Sequence, residues 1–244
     1  MEINNSRVLI TGGSSGIGKE TAKQFIAKGA TVVITGRDES KLKKIAVEIG
    51  AIPLPFDISD LKSIPQKAKE ALTLLHGEID TLVNNAGIGV FPSLGEITEN
   101  DLLSVYNTNV FGMALLTQEF LPQFKEQCSG NIINIGGTAS QKGFAQGSVF
   151  AASKFAVRGM TQSWQAELRK YNIRVALVNP SEVTTAFTYR TRKNRDERKE
   201  QANKLGSEDI AHTIISIVEM RNKGFIPEVT IWATNPLEPI ISNH

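Results

Sequence analysis

The sequence predicts an α/β fold: a single-domain, doubly wound parallel sheet of about seven strands with helices on both faces. Three observations support this. Residues 8–10 form a short apolar strand that runs through a glycine-rich turn into a helix, a unit that commonly begins a dinucleotide-binding sheet. Strand-like and helix-like segments then alternate along the chain without a linker or repeat. A length of 244 residues, 41% of them hydrophobic, suits one domain with a large core.

Composition and charge exclude several functional classes. The net charge of +2, from 27 basic and 25 acidic residues, indicates neither a nucleic-acid partner nor a membrane surface. Cys128 is the only cysteine, residues 1–6 lack a signal-peptide layout, and no apolar run is long enough to cross a bilayer. His76, His212 and His244 have no metal-binding spacing. We therefore expect a soluble, cytoplasmic protein without a metal site.

The glycine-rich turn is the first candidate site. Residues 8–18 read VLITGGSSGIG, with glycines spaced as G-x-x-x-G-x-G. Such glycines let the backbone turn sharply and approach a ligand closely. A helix that begins near Gly16 would direct its N–H groups and positive dipole end at an anion. A glycine pattern alone is weak evidence, since glycines also serve plain turns, but the preceding strand and following helix favour a phosphate-binding turn.

The first half of the chain alternates as the fold requires. A helix over 16–28 leads to a β-branched strand over 31–35, after which Asp38 is expected to cap a second helix. The next strand, 52–56, contains two prolines, which cannot donate to a sheet ladder. It therefore belongs at a sheet edge, where the third strand lies in the order 3-2-1-4-5-6.

The second half continues the alternation. The predicted helices cover 61–76, 101–124, 153–170 and a last helix capped by Ser207, and the predicted strands cover 79–83, 131–135, 173–178 and 225–233. Apolar residues surround much of the 101–124 helix, which indicates burial on more than one side. The charge-rich stretch 190–204 is interpreted as a solvated helical flap in preference to a partner-binding patch.

Two further motifs support a family resemblance. Residues 84–87 (NNAG) follow the fourth strand, and residues 107–110 (NTNV) lie on the long helix. With the turn at 11–18 (TGGSSGIG), the sequence resembles the short-chain dehydrogenase/reductase family over nearly the whole chain, and within it the ketone and 3-oxoacyl carrier-protein reductases. The resemblance implies one Rossmann-type domain over 1–244, a flap over the substrate site at 186–205, and a homodimer or homotetramer.

The resemblance also implies a cofactor site. Its residues are Gly12, Ser14, Ser15, Gly16, Ile17, Gly18, Arg37, Asp57, Ile58, Asn84, Ala86, Gly87, Lys154, Pro180, Val183 and Thr185. The glycine-turn residues would line the pyrophosphate and ribose. Asp57 and Ile58 would address the adenine, although Asp57 could instead be a helix N-cap. Val183 and Thr185 would bind the nicotinamide carboxamide, and residues 180–181 read Pro-Ser where the family has Pro-Gly.

The end of the second strand favours NADPH over NADH. An NAD enzyme normally places an acidic side chain there to bind the ribose hydroxyls. This chain has Gly36 and Arg37 instead. Glycine leaves room for a 2′-phosphate, and a guanidinium can bind it with two charge-assisted hydrogen bonds. The alternative is that Arg37 is a surface residue paired with Asp38 or Glu39.

The catalytic motif departs from the family pattern. The family's reductases carry Tyr-x-x-x-Lys, whereas residues 150–154 read FAASK, with Phe150 at the tyrosine position and Lys154 present. Gly137 stands where the family has a serine that binds the carbonyl oxygen, and Asn109 matches the active-site asparagine. Phenylalanine and glycine side chains donate no proton or hydrogen bond. Because general acid catalysis is typically worth about 10²–10⁴-fold, we expect very low activity on ketones.

Three functional hypotheses remain open. The chain is an NADPH-dependent carbonyl reductase that has lost its acid pair, an enzyme for substrates that need no phenolic acid (imines, activated alkenes or radicals), or a non-catalytic NADPH-binding scaffold. Hydroxyls at Thr138, Ser140 or Ser148 are candidates for compensation, although Thr138 would point to the opposite strand face from Gly137.

The substrate pocket is expected to be built from variable loops. These cover 88–96, 138–148 and the flap. Their aromatic residues, Phe91, Phe144, Phe187 and Tyr189, indicate an apolar or aromatic lining, although each could equally anchor the flap. The basic flap residues Arg190, Arg192, Lys193 and Arg195 are interpreted as a solvated face.

Overall fold

The computed structural model describes residues 2–185, 187, 201, 203–221 and 223–235. Its centre is one seven-stranded sheet in the order β3-β2-β1-β4-β5-β6-β7, with every pair parallel. The strands are β1 (Arg7–Ile10), β2 (Thr31–Gly36), β3 (Ile52–Pro55), β4 (Thr81–Asn84), β5 (Gly130–Ile135), β6 (Ile173–Pro180) and β7 (Glu228–Ile231). This order confirms the predicted doubly wound, Rossmann-type sheet.

Helices cover both faces of the sheet. They are α1 (Gly16–Ala27), α2 (Glu39–Ile49), α3 (Ile64–Leu74), α4 (Glu99–Tyr106), α5 (Met113–Gln127), α6 (Ser148–Leu168) and α7 (Ser207–Glu219). One core contains buried residues of α1, α2 and α7, and a second contains those of α3 and α5. Successive β1 residues alternate between them, since Val8 and Ile10 lie in the first core and Leu9 in the second. Burial on both faces explains why the strands are almost continuously apolar.

The proline-containing strand lies at the edge, as predicted. β3 pairs only with β2 among the described strands, with Pro53 opposite Ile34 and Pro55 opposite Gly36. A proline in a central strand would leave a neighbouring carbonyl without its partner, and a one-sided strand avoids this. Asp38 caps α2 as expected, because its side chain accepts a hydrogen bond from the Lys41 backbone N–H at 2.9 Å.

The predicted helix over 101–124 is helical throughout but contains a π-helical segment that the sequence did not indicate. Helical backbone continues from α4 through this segment, Asn107–Gly112, into α5. A side chain at Gly112 would collide with the backbone carbonyl of Ile58, so the glycine lets this segment approach the turn after β3. Apolar periodicity could not show the π-helical segment, because apolar residues continue through it. Such π-helical insertions are common at functional sites.

Three other boundaries also differ from the prediction. Ser207 does not cap the last helix: it is the first residue of α7, Gly206 is the N-cap, and the Asp209 side chain accepts from the Gly206 N–H at 2.9 Å. α6 begins at Ser148, earlier than predicted, and β7 is limited to Glu228–Ile231.

The predicted flap lies mostly outside the described residues. Of 186–205, the structure describes residues 187, 201 and 203–205, so Tyr189 and the basic residues Arg190, Arg192, Lys193 and Arg195 fall outside. Within the described ranges, no helix has the length and apolar character needed to cross a membrane.

Candidate active site at the carboxyl edge of the sheet

The turns after β1 and β4 are bound to each other. Gly12 and Gly16 have φ values of +68° and +51°, which favour glycine. The Thr11 hydroxyl oxygen accepts from the backbone N–H groups of Asn85 and Ala86, both at 3.0 Å. The Asn85 side chain in turn donates to the backbone carbonyls of Thr11 and Gly12 at 3.0 and 3.1 Å. This network fixes both turns at the same edge of the sheet.

The first turn of α1 faces this edge. α1 begins at Gly16. Its N-cap residue is Ser15, whose backbone is extended and whose side chain makes no capping hydrogen bond. The first turn of α1 contains no acidic side chain. A side chain at Gly18 would collide with the Gly12 carbonyl and the Asn85 amide, so the helix can approach the turn only with glycine there. The positive end of the α1 dipole is therefore directed at the predicted phosphate position.

The loop after β6 lies against the same turn. A β-carbon added to Gly16 would lie 3.1 Å from the Thr185 methyl group. The loop is held by two backbone hydrogen bonds, Thr184 N–H to Leu205 carbonyl at 2.9 Å and Leu205 N–H to Glu182 carbonyl at 3.1 Å. The segment predicted to line the pyrophosphate and ribose is thus adjacent to the segment predicted to bind the nicotinamide carboxamide.

Arg37 lies beside the turn with its guanidinium exposed. A β-carbon added to Gly36 would lie 3.3 Å from the Ser14 hydroxyl oxygen, which places the end of β2 next to the glycine turn. The two carboxylates proposed as alternative partners of Arg37 are already engaged. Asp38 accepts from the Lys41 backbone, and Glu39 pairs with Lys43 at 2.6 Å.

Asp57 shapes the turn after β3. One of its carboxylate oxygens accepts from the Ser59 backbone N–H at 2.9 Å and from the Ser59 hydroxyl at 2.7 Å. The alternative of Asp57 as a helix N-cap is wrong, because α3 begins at Ile64 with Ser63 as its N-cap. The adjacent Ile58 is buried.

Asn84 has a buried side chain that bonds within the protein interior. Its amide donates to the Thr117 hydroxyl at 3.0 Å and to the Asn134 amide oxygen at 2.8 Å. Asn134 continues the network by donating to Thr161 at 2.9 Å. These polar pairs join β4 and β5 to α5 and α6. The residues of the NNAG motif that border the site are therefore those after Asn84.

Lys154 and Asn109 meet at Gly87. A β-carbon on Gly87 would lie 3.4 Å from the Asn109 amide oxygen and 3.8 Å from Lys154 Nζ. Asn109 is held by both polar groups of Ile88, accepting from its N–H at 2.9 Å and donating to its carbonyl at 3.0 Å. Lys154 Nζ donates to the Ile135 carbonyl at 2.8 Å, and burial lowers the pKa of Lys154 to about 8. The structure thus brings together the two predicted polar catalytic residues.

The predicted tyrosine position holds an aromatic ring without a hydroxyl. The Phe150 ring centre lies 5.2 Å from that of Phe91 and 5.6 Å from that of Phe187. Lys154 Nζ lies 5.7 Å from the centre of the Phe150 ring. The lysine therefore lies next to a hydrocarbon surface where the family resemblance implies a phenol.

Gly137 combines free space with a restrictive backbone. A β-carbon there would meet nothing closer than the Pro180 carbonyl at 3.7 Å. However, φ is +135° and ψ is 165°, a region occupied almost only by glycine. Its N–H donates to the Asn179 amide oxygen at 3.1 Å. A serine would fit by volume but would strain this backbone.

The three candidate hydroxyls differ in availability. Ser140 is fully buried and donates to the Asn179 amide oxygen at 2.8 Å. Ser148 is exposed at the start of α6. The argument that Thr138 points to the opposite strand face does not apply, because β5 ends at Ile135 and Thr138 begins a short 3-10 turn.

Sequence reasoning missed two residues that position the site. Asn179 holds the loop after β5 through Gly137 and Ser140, and its own amide donates to Glu228 at 2.9 Å. Ser153 accepts from the Asn109 amide at 3.0 Å and donates to the Phe150 carbonyl at 2.6 Å. The only sequence signal was a polar residue within an otherwise apolar strand or helix face.

Comparison with known proteins agrees with this geometry. Residues 6–196 match the family model described as short chain dehydrogenase. The chain belongs to the short-chain dehydrogenase family. It is 32% identical to an NADP-dependent 3-hydroxy acid dehydrogenase from Schizosaccharomyces pombe, over 96% of this chain and 94% of the relative. It is 35% identical to a 3-oxoacyl acyl-carrier-protein reductase from Thermotoga maritima, over 77% of this chain and 78% of the relative.

A solved structure shows the same likeness. A metagenomic short-chain oxidoreductase in complex with NADP superposes with a TM-score of 0.81 at 29% identity, covering 96% of this chain and 99% of that one. The chain is thus a member of an oxidoreductase family, and it has relatives that use or bind NADP.

Proposed function

We propose that this short-chain dehydrogenase binds NADPH at the carboxyl edge of its sheet. It is an enzyme of the carbonyl reductase type, with very low activity on ordinary ketones. One observation carries the proposal. Lys154 and Asn109 are held together at Gly87, and the Phe150 ring lies beside Lys154 at the position where the family resemblance implies a proton donor. The site therefore combines a retained cofactor-binding arrangement with a missing acid.

The described residues fit a dinucleotide. Glycine at position 18 lets α1 pack directly against the turn after β1, and α1 directs its positive end there. The exposed guanidinium of Arg37 suits a 2′-phosphate, which favours NADPH over NADH. The residues proposed to hold the cofactor are Gly12, Ser14, Ser15, Gly16, Ile17, Gly18, Arg37, Asp57, Ile58, Ala86, Gly87, Lys154, Pro180, Val183 and Thr185. Asn84, whose side chain bonds in the interior, is not among them.

The chemical consequence follows from the side chains. A bound nicotinamide supplies or accepts a hydride. In this chain Lys154 is positioned to orient the ribose, and Asn109 fixes the backbone at Ile88. Reduction of a ketone also needs a donor for the developing alkoxide. Loss of an acid costs about 10²–10⁴-fold, and loss of one oxyanion donor about 10²–10³-fold.

Cofactor binding and ketone chemistry can be tested separately. Quenching of protein fluorescence should show NADPH binding, and tighter binding of NADPH than NADH. The unaltered protein should reduce ketones at a rate near the buffer control. Phe150→Tyr should raise ketone kcat/KM by about 10²-fold or more. Phe150→Leu, which changes the side chain without adding a hydroxyl, should not.

The second reversion needs its own control. Because Gly137 has a backbone conformation that disfavours any side chain, Gly137→Ser should be compared with Gly137→Ala. Ketone activity above that of Phe150→Tyr in the double variant with serine, and not with alanine, would identify the hydroxyl as the cause. A Phe150→Tyr protein that binds NADPH yet stays inactive would favour the scaffold hypothesis.

We also propose a homodimer or homotetramer. Several large apolar side chains on α4, the π-helical segment, α5 and α6 are 38% to 50% exposed: Leu102, Leu103, Phe111, Leu115 and Phe155. Exposed large apolar side chains on neighbouring helices are typical of a surface that a partner subunit covers. Light scattering of the purified protein should give a mass of two or four chains, and a monomer would contradict this.

A further inference from the structure

Four phenylalanines form one aromatic surface at the candidate active site. We call Phe91, Phe144, Phe150 and Phe187 the aromatic wall. The ring centres lie 6.0 Å apart for Phe91 and Phe144, 5.2 Å for Phe91 and Phe150, and 5.6 Å for Phe150 and Phe187. Phe144 is 47% exposed and Phe187 is 40% exposed, so the wall presents aromatic surface to an approaching molecule.

Two glycines make room for these rings. A β-carbon on Gly89 would lie 2.6 Å from the Phe91 ring and 3.0 Å from the Phe187 ring. A β-carbon on Gly147 would lie 2.9 Å from the Phe144 ring. The rings therefore pack against backbone that only glycine allows to come so close, and the wall is part of the folded structure of the site.

Each polar side chain beside the wall has a hydrogen bond within the protein, and the remaining N–H groups of Lys154 are assigned to the ribose of the proposed cofactor. Lys154 Nζ donates to the Ile135 carbonyl and the Ser140 hydroxyl to Asn179. The Asn109 amide donates to Ile88 and Ser153. A neutral ketone that accepts hydride becomes an alkoxide, which needs a donor at once. The site thus suits an acceptor that needs no proton.

We propose that the substrate is a preformed iminium cation with a flat, apolar skeleton. This rests on the proposed NADPH binding and names the substrate class of that site. The iminium carbon accepts a hydride from NADPH, the C=N π electrons become the nitrogen lone pair, and the products are a neutral amine and NADP⁺. The hydride transfer itself needs no proton donor in the site, and the released amine takes up a proton only from the solvent. Aromatic faces attract a cation and so compensate for its loss of water.

The wall distinguishes this class from activated alkenes. Hydride addition to an activated alkene produces an enolate, and the negative faces of aromatic rings repel an anion. The Lys154 ammonium repels a nearby cation. Its hydrogen bond to the Ile135 carbonyl directs one N–H at the negative end of a backbone dipole, which partly offsets its charge. Burial further lowers its pKa to about 8, which weakens that repulsion at higher pH.

The direct test uses a permanent cation. N-methyl-3,4-dihydroisoquinolinium, 1-tetralone and cyclohexenone are incubated with NADPH and the unaltered protein, and NADPH oxidation is followed against enzyme-free controls. We expect turnover of the cation at a rate that is constant between pH 6 and 7.5, and no turnover of the ketone or alkene. Ketone or alkene turnover as fast as that of the cation would overturn the proposal.

Variants of the wall test the cation–π contribution. Phe144→Leu keeps an apolar side chain but removes a ring, and should raise KM for the cation roughly 2- to 30-fold. Inhibition by neutral 1-tetralone should change much less. The matched control is Phe225→Leu, which removes a ring that lies beside Arg169 and should leave KM unchanged. An equal loss for cation and neutral ligand would contradict the proposed recognition.

Failure of this inference can be separated from failure of the proposed function. NADPH binding without iminium reduction above the control rate would overturn the substrate class and leave the cofactor site intact. Absence of NADPH binding would instead overturn the proposed function itself.

Discussion

The cofactor half and the catalytic half of the site lie at the same edge of the sheet but are constrained differently. In the cofactor half, the glycine turn is fixed by close contacts: Gly18 approaches the Gly12 carbonyl, and Thr11 bonds to the turn after β4. In the catalytic half, the Phe150 ring is seated among other rings. Because a phenylalanine packs much as a tyrosine does, the fold does not depend on whether a hydroxyl is present on this ring.

This difference separates what folding requires from what chemistry requires. A substitution in the glycine turn disturbs the backbone, so structure and binding fail together. At the predicted tyrosine position, a single oxygen atom determines proton donation while packing is unchanged. A geometry that fits the cofactor is therefore no evidence for a particular reaction at the catalytic half.

The largest predicted change in unfolding free energy concerns Lys154, because burial of its ammonium group opposes folding. Lowering its pKa from 10.5 to about 8 corresponds to about 3 kcal/mol at neutral pH. Between pH 8 and 10.5 the unfolded state binds more protons than the folded state, so this penalty disappears as pH rises. Relative to Lys154→Met, the cofactor-free protein should gain about 3 kcal/mol of unfolding free energy from pH 7 to 10.5.

Urea unfolding of both proteins over that pH range measures the difference. Lys154→Met also leaves the Ile135 carbonyl without its partner, which lowers the variant's stability by about the same amount at every pH. The pH slope, and not the absolute stability, is therefore the diagnostic quantity. Parallel pH profiles would show that the buried ammonium is not destabilised in the catalytic half.

Gly18→Ala should break the cofactor half. The added methyl group would collide with the Gly12 carbonyl and the Asn85 amide, and overpacking of this kind costs about 1–3 kcal/mol. NADPH affinity should fall together with stability because the turn itself must move. Gly159→Ala is the matched control: it lies within α6 with nothing within 4 Å, and should stabilise the protein by about 0.5–1 kcal/mol.

Thermal unfolding and NADPH titration of the two variants provide the comparison. Normal NADPH affinity in a destabilised Gly18→Ala protein would show that the turn is not part of the cofactor site.

Gly137→Ala should lower the stability of the protein at the catalytic half, although the added methyl group collides with no other atom. The backbone conformation at Gly137 costs a residue with a side chain about 1–3 kcal/mol, although space is available. Gly143→Ala serves as the control, since it has nothing within 4 Å and no positive φ. Chemical denaturation should show that Gly137→Ala is less stable than Gly143→Ala. Equal stabilities would mean that the loop adopts another conformation readily, and that a serine at 137 is easily accommodated.

The sequence predicted the sheet well because its signals are local. Apolar strands, intervening helices and the two prolines of β3 were sufficient to place the strands and the edge. The π-helical segment was missed because apolar spacing continues through it. The cap of α7 was misplaced because a glycine N-cap has no side chain to indicate it, and Asp209 bonds back from the helix.

The candidate site was only partly predictable. Motifs indicated Lys154 and Asn109, but their meeting at Gly87 depends on the arrangement of β4, α6 and the π-helical segment. The sequence identified Phe91, Phe144 and Phe187 as an apolar lining, and their packing around Phe150 follows from tertiary structure. The backbone of Gly137 has no sequence signature beyond the residue itself.

Arg37 provides the smallest and most selective test of the cofactor half. The guanidinium is exposed, and an exposed ion pair is worth about 0.2–1 kcal/mol because water and salt screen it. Arg37→Ala should therefore weaken NADPH binding about 1.4- to 5-fold at low salt and leave NADH binding unchanged. Lys44→Ala, which removes an exposed positive charge from α2, controls for net charge. Equal loss of NADPH affinity in both variants would attribute the preference to the general field, whereas loss only in Arg37→Ala would assign 2′-phosphate recognition to this side chain.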